Sequence, residues 1–236
     1  MKTENKSKLL SAVINIVFWG AIWGVFEATV GYALHAVSFG YGWLIWYPAA
    51  CFFLANVYRK TKSPSAVFLA GLLCASVKML NLLSPIRIDK VINPAISIVF
   101  EALAIGLVIH LTKRFFNGKR NHIAAKTVVV LAMNTFWRLM YILYILLLVP
   151  SWMRDISVIS NADKFVKFFV VENFATSLIL FAAYQYASPI LKPVKNAEKK
   201  LSSLLTKFSS RKVFAFKSAL AVLTLCLYIV FTLALQ

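Results

Sequence analysis

The sequence predicts an all-α fold: a polytopic transmembrane helical bundle with a six-helix core, a seventh C-terminal transmembrane helix and the N-terminus inside. Of the 236 residues, 61% are hydrophobic and the mean hydropathy is +0.77, whereas a soluble domain has about 45–50% apolar residues. The apolar residues form several runs long enough to cross a bilayer. Most of the 26 Lys and Arg residues fall between alternate runs, and this asymmetry is typical of the positive-inside rule.

The first half of the chain contains four of the expected helices, at about 12–36, 43–58, 66–84 and 91–112. A lysine-containing leader precedes the first helix and is expected to be cytoplasmic. The link after the first helix has no charge, which places it outside, and Trp43 and Trp46 are expected to anchor the next helix at the interface. The basic segment 59–64 returns the chain to the cytoplasm, and Pro85 ends the third helix.

The second half contains the remaining helices, at about 124–149, 165–187 and 218–235. The helix at about 124–149 follows a basic segment and is therefore expected to start on the inside, and Pro150 ends it. Residues 192–217 are rich in Lys and Arg and predict a cytoplasmic linker. The expected organisation is therefore a membrane core at 1–191, the basic linker, and a final transmembrane helix.

Five ionisable residues lie near the middle of five different apolar runs, at a cost of roughly 2.5–3.5 kcal/mol each on insertion scales. With a rise of about 1.5 Å per residue, all five fall in one layer between the midplane and the outer leaflet. Such groups normally face the interior of a bundle, where they pair or bind a solute. The predicted ligand-binding residues are these five and two nearby amides: Glu27, Lys78, Asn81, Glu101, Asn134, Arg138 and Glu172.

The charges in this layer do not balance, because three residues are acidic and two are basic. Pairing can neutralise four of them, and the remaining carboxylate must be protonated, contact water or contact a cation. The alternative is structural: two buried ion pairs fix the helix register and the third carboxyl group is neutral. The sequence does not identify the unpaired residue.

Helix 1 carries a ridge of small residues, Gly20, Gly24 and Ala28, at a spacing suited to close helix contact. The ridge either packs within the chain or forms a partner-docking surface. Helices 1 and 4 share the sequence Val-Phe-Glu-Ala, at 25–28 and 99–102, and such an echo is a weak indication of an inverted repeat.

Other functions lack their usual sequence features. His35 and His110 are expected at opposite membrane faces, so they predict no metal site, and no cofactor is indicated. The three cysteines, at 51, 74 and 226, lie in apolar runs and are expected to pack there. We find no Asp-rich diphosphate motif, no His-Glu-x-x-His and no nucleophile arrangement, which disfavours an enzyme. The basic segments lack base-stacking aromatic residues, so their expected partner is anionic lipid at the cytoplasmic face and not nucleic acid.

Two motifs carry a resemblance to known proteins: residues 19–35, Trp-Gly-Ala-Ile-Trp-Gly-Val-Phe-Glu-Ala-Thr-Val-Gly-Tyr-Ala-Leu-His, and Asn93-Pro94-Ala95-Ile96 leading to Glu101. Over helices 1 to 4 the chain resembles a group of bacterial polytopic membrane proteins. These are similar in size and topology to the substrate-binding S components of energy-coupling factor (ECF) transporters. The resemblance implies six helices, both ends inside and a solute site near the outer face. It also implies a transmembrane coupling subunit with ATPases, on which Gly20, Gly24 and Ala28 would dock.

The sequence thus favours a multi-pass protein of the cell membrane that binds a small polar or charged solute in an outward-opening intramembrane pocket, as a transport component similar to an ECF S component. Two alternatives remain open at this point. One is a proton- or cation-coupled secondary carrier that acts alone, and the other is a structural or assembly subunit of a membrane complex.

Overall fold

The computed structural model describes residues 2–36, 40–83, 87–115 and 123–186, and the single positions 196, 215, 219 and 222. Within this part of the chain the structure is helical and has no strand. Five helical segments there are long and apolar enough to cross a membrane: Leu9–Val30, Pro64–Leu83, Asp89–Thr112, Ile123–Leu148 and Ala162–Gln185. The all-α class is therefore confirmed, and the five segments fit a multi-pass membrane protein. The predicted linker and seventh helix fall almost wholly outside the described residues.

The helices follow one another with short connections: α1 (Lys2–Ala36), α2 (Trp43–Thr61), α3 (Pro64–Met79), α4 (Asp89–Phe115), α5 (Ile123–Leu148), α6 (Ser151–Arg154), α7 (Ala162–Val166) and α8 (Glu172–Gln185). A 3-10 turn at Leu80–Leu83 prolongs α3, and a π-helical segment at Lys167–Val171 joins α7 to α8. The predicted helices agree with this order, with ends shifted by a few residues. The first helix differs most, because it extends back to Lys2 through the expected leader. The predicted second span, α2, has 19 residues but is not among the five segments that are both long and apolar enough to cross a membrane.

Local chemistry explains where several helices begin and end. Lys62 ends α2 in the left-handed conformation, at φ 56°, and its N–H donates to the Tyr58 carbonyl. The next residue, Ser63, caps α3 by accepting from the Ala66 N–H at 3.3 Å, and Pro64 occupies the first turn, where it costs no hydrogen bond. Asn161 caps α7 in the same way, through the Lys164 N–H at 2.9 Å.

The closest helix contacts are those of α3 with α1 and α4, and small residues make them possible. A Cβ on Gly20 would lie 3.0 Å from the Ala70 carbonyl oxygen, and one on Gly24 would lie 2.7 Å from Val77 Cβ. Ala28, 4% exposed, packs against Val77 as well. The chain's own α3 therefore covers the small ridge of α1, which is the intramolecular packing that the sequence left as one option.

Contacts between helices establish their relative directions. The positions on α1 and α3 rise together in sequence, so these two helices are parallel. Aromatic contacts run from Trp19 to Phe53 and from Phe26 to Trp46, so α2 is antiparallel to α1. The Tyr144 hydroxyl donates to Asn93 Oδ1 at 3.3 Å, which places the last turns of α5 beside the first turns of α4. We call this end of the bundle, where α2 and α4 begin and α5 finishes, the open end.

Candidate functional site

A cavity of about 390 Å³ lies inside the bundle, and all five charged residues of the predicted layer line it. They come from five helical segments and meet although they are far apart in sequence. The cavity continues to Asp89 and the exposed Lys90 at the open end. Its other lining residues are aromatic, polar or apolar side chains of α2, α4, α5 and the π-helical segment: Trp43, Trp46, Tyr47, Asn93, Pro94, Ser97, Ile98, Trp137, Tyr141 and Phe168.

Arg138 is the most completely buried of the five charged residues, at 1% exposed. Its guanidinium carbon lies 4.7 Å from the ring centre of Trp137 and 4.5 Å from that of Phe168, so two aromatic faces stabilise the cation. Arg138 Nη1 lies 3.4 Å from Glu172 Oε2 and forms an ion pair with it. Arg138 Nε donates to the side-chain oxygen of Asn134 at 3.3 Å. These contacts fix the side chain from three directions.

The π-helical segment supplies the remaining partner of Arg138. In an α-helix the Glu172 N–H would bond to the Phe168 carbonyl, but here it donates to the Lys167 carbonyl. The Phe168 oxygen instead accepts from Arg138 Nη1 at 2.6 Å. Sequence patterns gave no sign of this extra residue in the turn, because its apolar residues fit an α-helix equally well.

Asn134, predicted as a ligand-binding residue, does not line the cavity. It is completely buried between α5 and α8. Its Nδ2 contacts the Asn173 carbonyl, Thr176 Oγ1 and Ser177 Oγ at 2.7–2.9 Å, and its Oδ1 accepts from Trp137 and Arg138. Asn134 therefore holds α5 against α8 and orients two of the residues that line the cavity.

Glu27 and Lys78 form a second polar group on the opposite wall, where α1 meets α3. The Trp23 indole N–H donates to Glu27 Oε1 at 3.2 Å, and Trp23 is completely buried. Lys78 Nζ donates to the main-chain oxygen of Glu27 at 3.4 Å. The Lys78 ammonium therefore lies beside Glu27, and these two residues place one charge of each sign next to each other.

Glu101 differs from the other two carboxylates of the layer. It is 5% exposed and lines the cavity from α4. Its carboxylate makes no hydrogen bond and no ion pair within 4.0 Å with any described residue, whereas Glu27 and Glu172 each have a donor. The layer has three acidic and two basic residues, and Glu101 is thus the carboxylate that remains when Glu27 is assigned to Lys78 and Glu172 to Arg138.

The start of α2 adds polar groups that the sequence analysis did not assign to the site. Trp43 and Trp46, expected as interfacial anchors, line the cavity together with Tyr47. The Trp43 indole nitrogen and the Tyr47 hydroxyl are buried and lack a nitrogen or oxygen partner among the described residues, although the Cys51 thiol lies beside Tyr47. Their spacing of three and four residues, which places them on one helical face, is the signal that could have identified them.

The other predicted residues have different surroundings. Asn81 is buried in the 3-10 turn after α3 and does not line the cavity. The three docking candidates at positions 20, 24 and 28 lie against α3, away from the cavity. Cys74 packs in the core, and Cys226 and the His35 side chain lie outside the described part of the structure.

Comparison with known proteins gave no match: no family model fits the chain, and neither curated proteins nor solved structures match it significantly.

Proposed function

We propose that this chain is a membrane transport component that binds a small polar or charged solute in a pocket within the membrane. The observation that carries the proposal is the convergence of five ionisable side chains on one cavity. Placing each of these side chains in a hydrocarbon environment costs free energy, so an interaction at their shared position is expected to offset that cost. A polar solute that binds among them supplies that interaction.

The cavity itself favours a binding function over a purely structural one. Ion pairs that only fix helix register need no free volume, and a close-packed interior would serve them better. Here about 390 Å³ remains between the charged side chains, within the range of 300–1,000 Å³ that is common for small-molecule sites. Aromatic walls with a few polar groups are also typical of such sites.

The direction of entry follows from the charge of the loops. The last turn of α2 carries Arg59 and Lys60, and the connection to α3 that follows carries Lys62, all at the end opposite the open end. By the positive-inside rule this connection is cytoplasmic, which makes the open end external. We therefore propose that the solute enters from outside.

Equilibrium dialysis of the purified full chain tests this proposal. The probe is an equimolar mixture of amino acids, polyamines, nucleosides and small carboxylic acids, analysed by mass spectrometry. We expect the wild-type protein to retain at least one charged or polar solute. Ser97→Trp, which fills part of the cavity without changing its charge, should lower the retention at least about tenfold, because the indole takes space that the solute would occupy.

Asp155→Asn is the matched control, because Asp155 is exposed and lies outside the cavity lining. It should retain the same solute to the same extent as the wild type. Retention of no solute above a protein-free blank would contradict the proposal, as would equal retention by the Ser97 variant.

A further inference from the structure

The carboxylates of the cavity differ in how far their charge is compensated. Glu172 pairs with Arg138 at 3.4 Å, and Glu27 accepts from Trp23 with the Lys78 ammonium beside it. Glu101 has no such partner among the described residues and is 5% exposed. A buried carboxylate that faces a cavity without a partner attracts a cationic group into that cavity.

The charged residues inside the bundle also leave a negative excess. There the cavity lining includes the three glutamates of the layer against Lys78 and Arg138, so acidic groups outnumber basic groups by one. At the open end Lys90 is exposed, and Asp89 pairs with the exposed Arg87 at 3.0 Å. An anionic solute would have to overcome this excess at close range, where few water molecules screen it.

The aromatic lining also favours a cation. Six aromatic side chains line the cavity, and their ring faces carry negative potential that attracts ammonium groups: Trp43, Trp46, Tyr47, Trp137, Tyr141 and Phe168. Ca²⁺ and Mg²⁺ are bound through several oxygen ligands. A single free carboxylate among aromatic rings is better suited to an organic ammonium.

Building on the proposed function, we infer that the solute is a small organic cation and that its positive group contacts Glu101.

Calorimetric titration of the purified full chain with matched probes tests the inference. One set is tyramine, tyrosol and para-hydroxyphenylacetate, which share a phenol ring and end in an ammonium, a hydroxyl or a carboxylate. The other is choline and its neutral isostere, in which carbon replaces nitrogen. We expect a cation of at least one set to bind at least about tenfold more tightly than its neutral or anionic counterpart. Glu101→Gln should remove that preference, and Asp155→Asn, which removes one exposed charge, should leave it unchanged.

Three results would overturn the inference: preferential binding of the carboxylate, an unchanged preference in Glu101→Gln, or binding of no cation in either set. The first leaves the proposed transport function standing, because a charged solute still binds. The second means that Glu101 is protonated or paired and that another group selects the cation. The third, if dialysis of the mixture does show retention of another solute, refutes only the cationic class. Circular dichroism and thermal unfolding of each variant show that it is folded.

Discussion

Arg138 Nη1 lies 2.6 Å from the carbonyl oxygen of Phe168, and this hydrogen bond joins α5 to the one π-helical segment in the described part of the chain. The Phe168 ring also covers the guanidinium at 4.5 Å. One residue thus offers Arg138 both a main-chain acceptor and an aromatic face. The wider turn makes this possible, because it frees a carbonyl oxygen that an α-helix would occupy.

Replacing Arg138 by Met should destabilise the protein strongly. The change removes the bond to Phe168 and leaves the Glu172 carboxylate, 13% exposed, without its partner. Removing one member of a buried ion pair costs about 3–5 kcal/mol. Thermal unfolding in detergent should show a clear fall in the midpoint. Arg87→Met is the control, since Arg87 is 61% exposed in a surface pair worth about 0–1 kcal/mol. Equal losses in both variants would argue against the assigned role of Arg138.

Replacing Gly71 by Ala should loosen the contact between α3 and α4. A Cβ at this position would overlap the Ala102 side chain, and both residues are buried in the middle of helices. Overpacking of this kind costs about 1–3 kcal/mol, so the unfolding midpoint should fall. Gly40→Ala adds the same methyl group where no heavy atom lies within 4 Å, and it should leave the midpoint unchanged. A neutral result at Gly71 would mean that the two helices are farther apart than described.

The two buried glutamates Glu27 and Glu101 should respond in opposite directions to replacement by Gln. Glu101→Gln removes a buried charge that has no partner, so the solute-free protein should become as stable as the wild type or more stable. Glu27→Gln removes the charge beside Lys78 and should lower the stability by about 1–3 kcal/mol. Thermal unfolding in buffer without organic cations compares the two. The same direction of change in both would mean that Glu101 is compensated like Glu27.

A cysteine at position 97 should report the side of the membrane at which the cavity opens. Ser97 lines the cavity on α4, four residues from Glu101. In a protein whose native cysteines are replaced by Ala, Ser97→Cys should react in intact cells with a membrane-impermeant maleimide. Leu143→Cys is the control, because Leu143 is exposed on the outside of α5, where lipid would exclude the reagent. Labelling of position 97 only in inverted vesicles would place the open end in the cytoplasm.

Within the described residues, the sequence was sufficient to predict the order of the long helices and the convergence of the charged layer. Both depend on composition and on how deep a residue lies along an apolar run. A charged residue in the middle of an apolar run must be sheltered, and this requirement alone predicted that Glu101 and Arg138 face the interior. The pairing within the layer could not be predicted, because it depends on helix rotation. The sequence does not show which glutamate lacks a partner. In the structure, Trp23 lies beside Glu27 and Arg138 lies beside Glu172, which leaves Glu101.

Other residues have surroundings that the sequence did not indicate, because one physical property serves two purposes. Trp43 and Trp46 lie at a helix start, where amphipathic side chains often mark the membrane interface, but here they line the cavity. Asn134 shares a helical stripe with Arg138 and was therefore expected to bind solute. Its amide is instead fully used between two helices, and sequence spacing does not distinguish a polar group that faces a cavity from one that faces a neighbouring helix.

The π-helical segment at Lys167–Val171 has a consequence for how this chain tolerates changes in length. A π turn contains one more residue than an α turn, so losing any one residue of the segment would restore an unbroken α-helix. The helices on either side would keep nearly the same relative rotation, because about five residues of a π turn and about four residues of an α-helix each complete roughly one turn. A single-codon deletion there would keep the hydrophobicity, length and helical content of the segment almost intact and still return the freed carbonyl oxygen to the helix, away from Arg138.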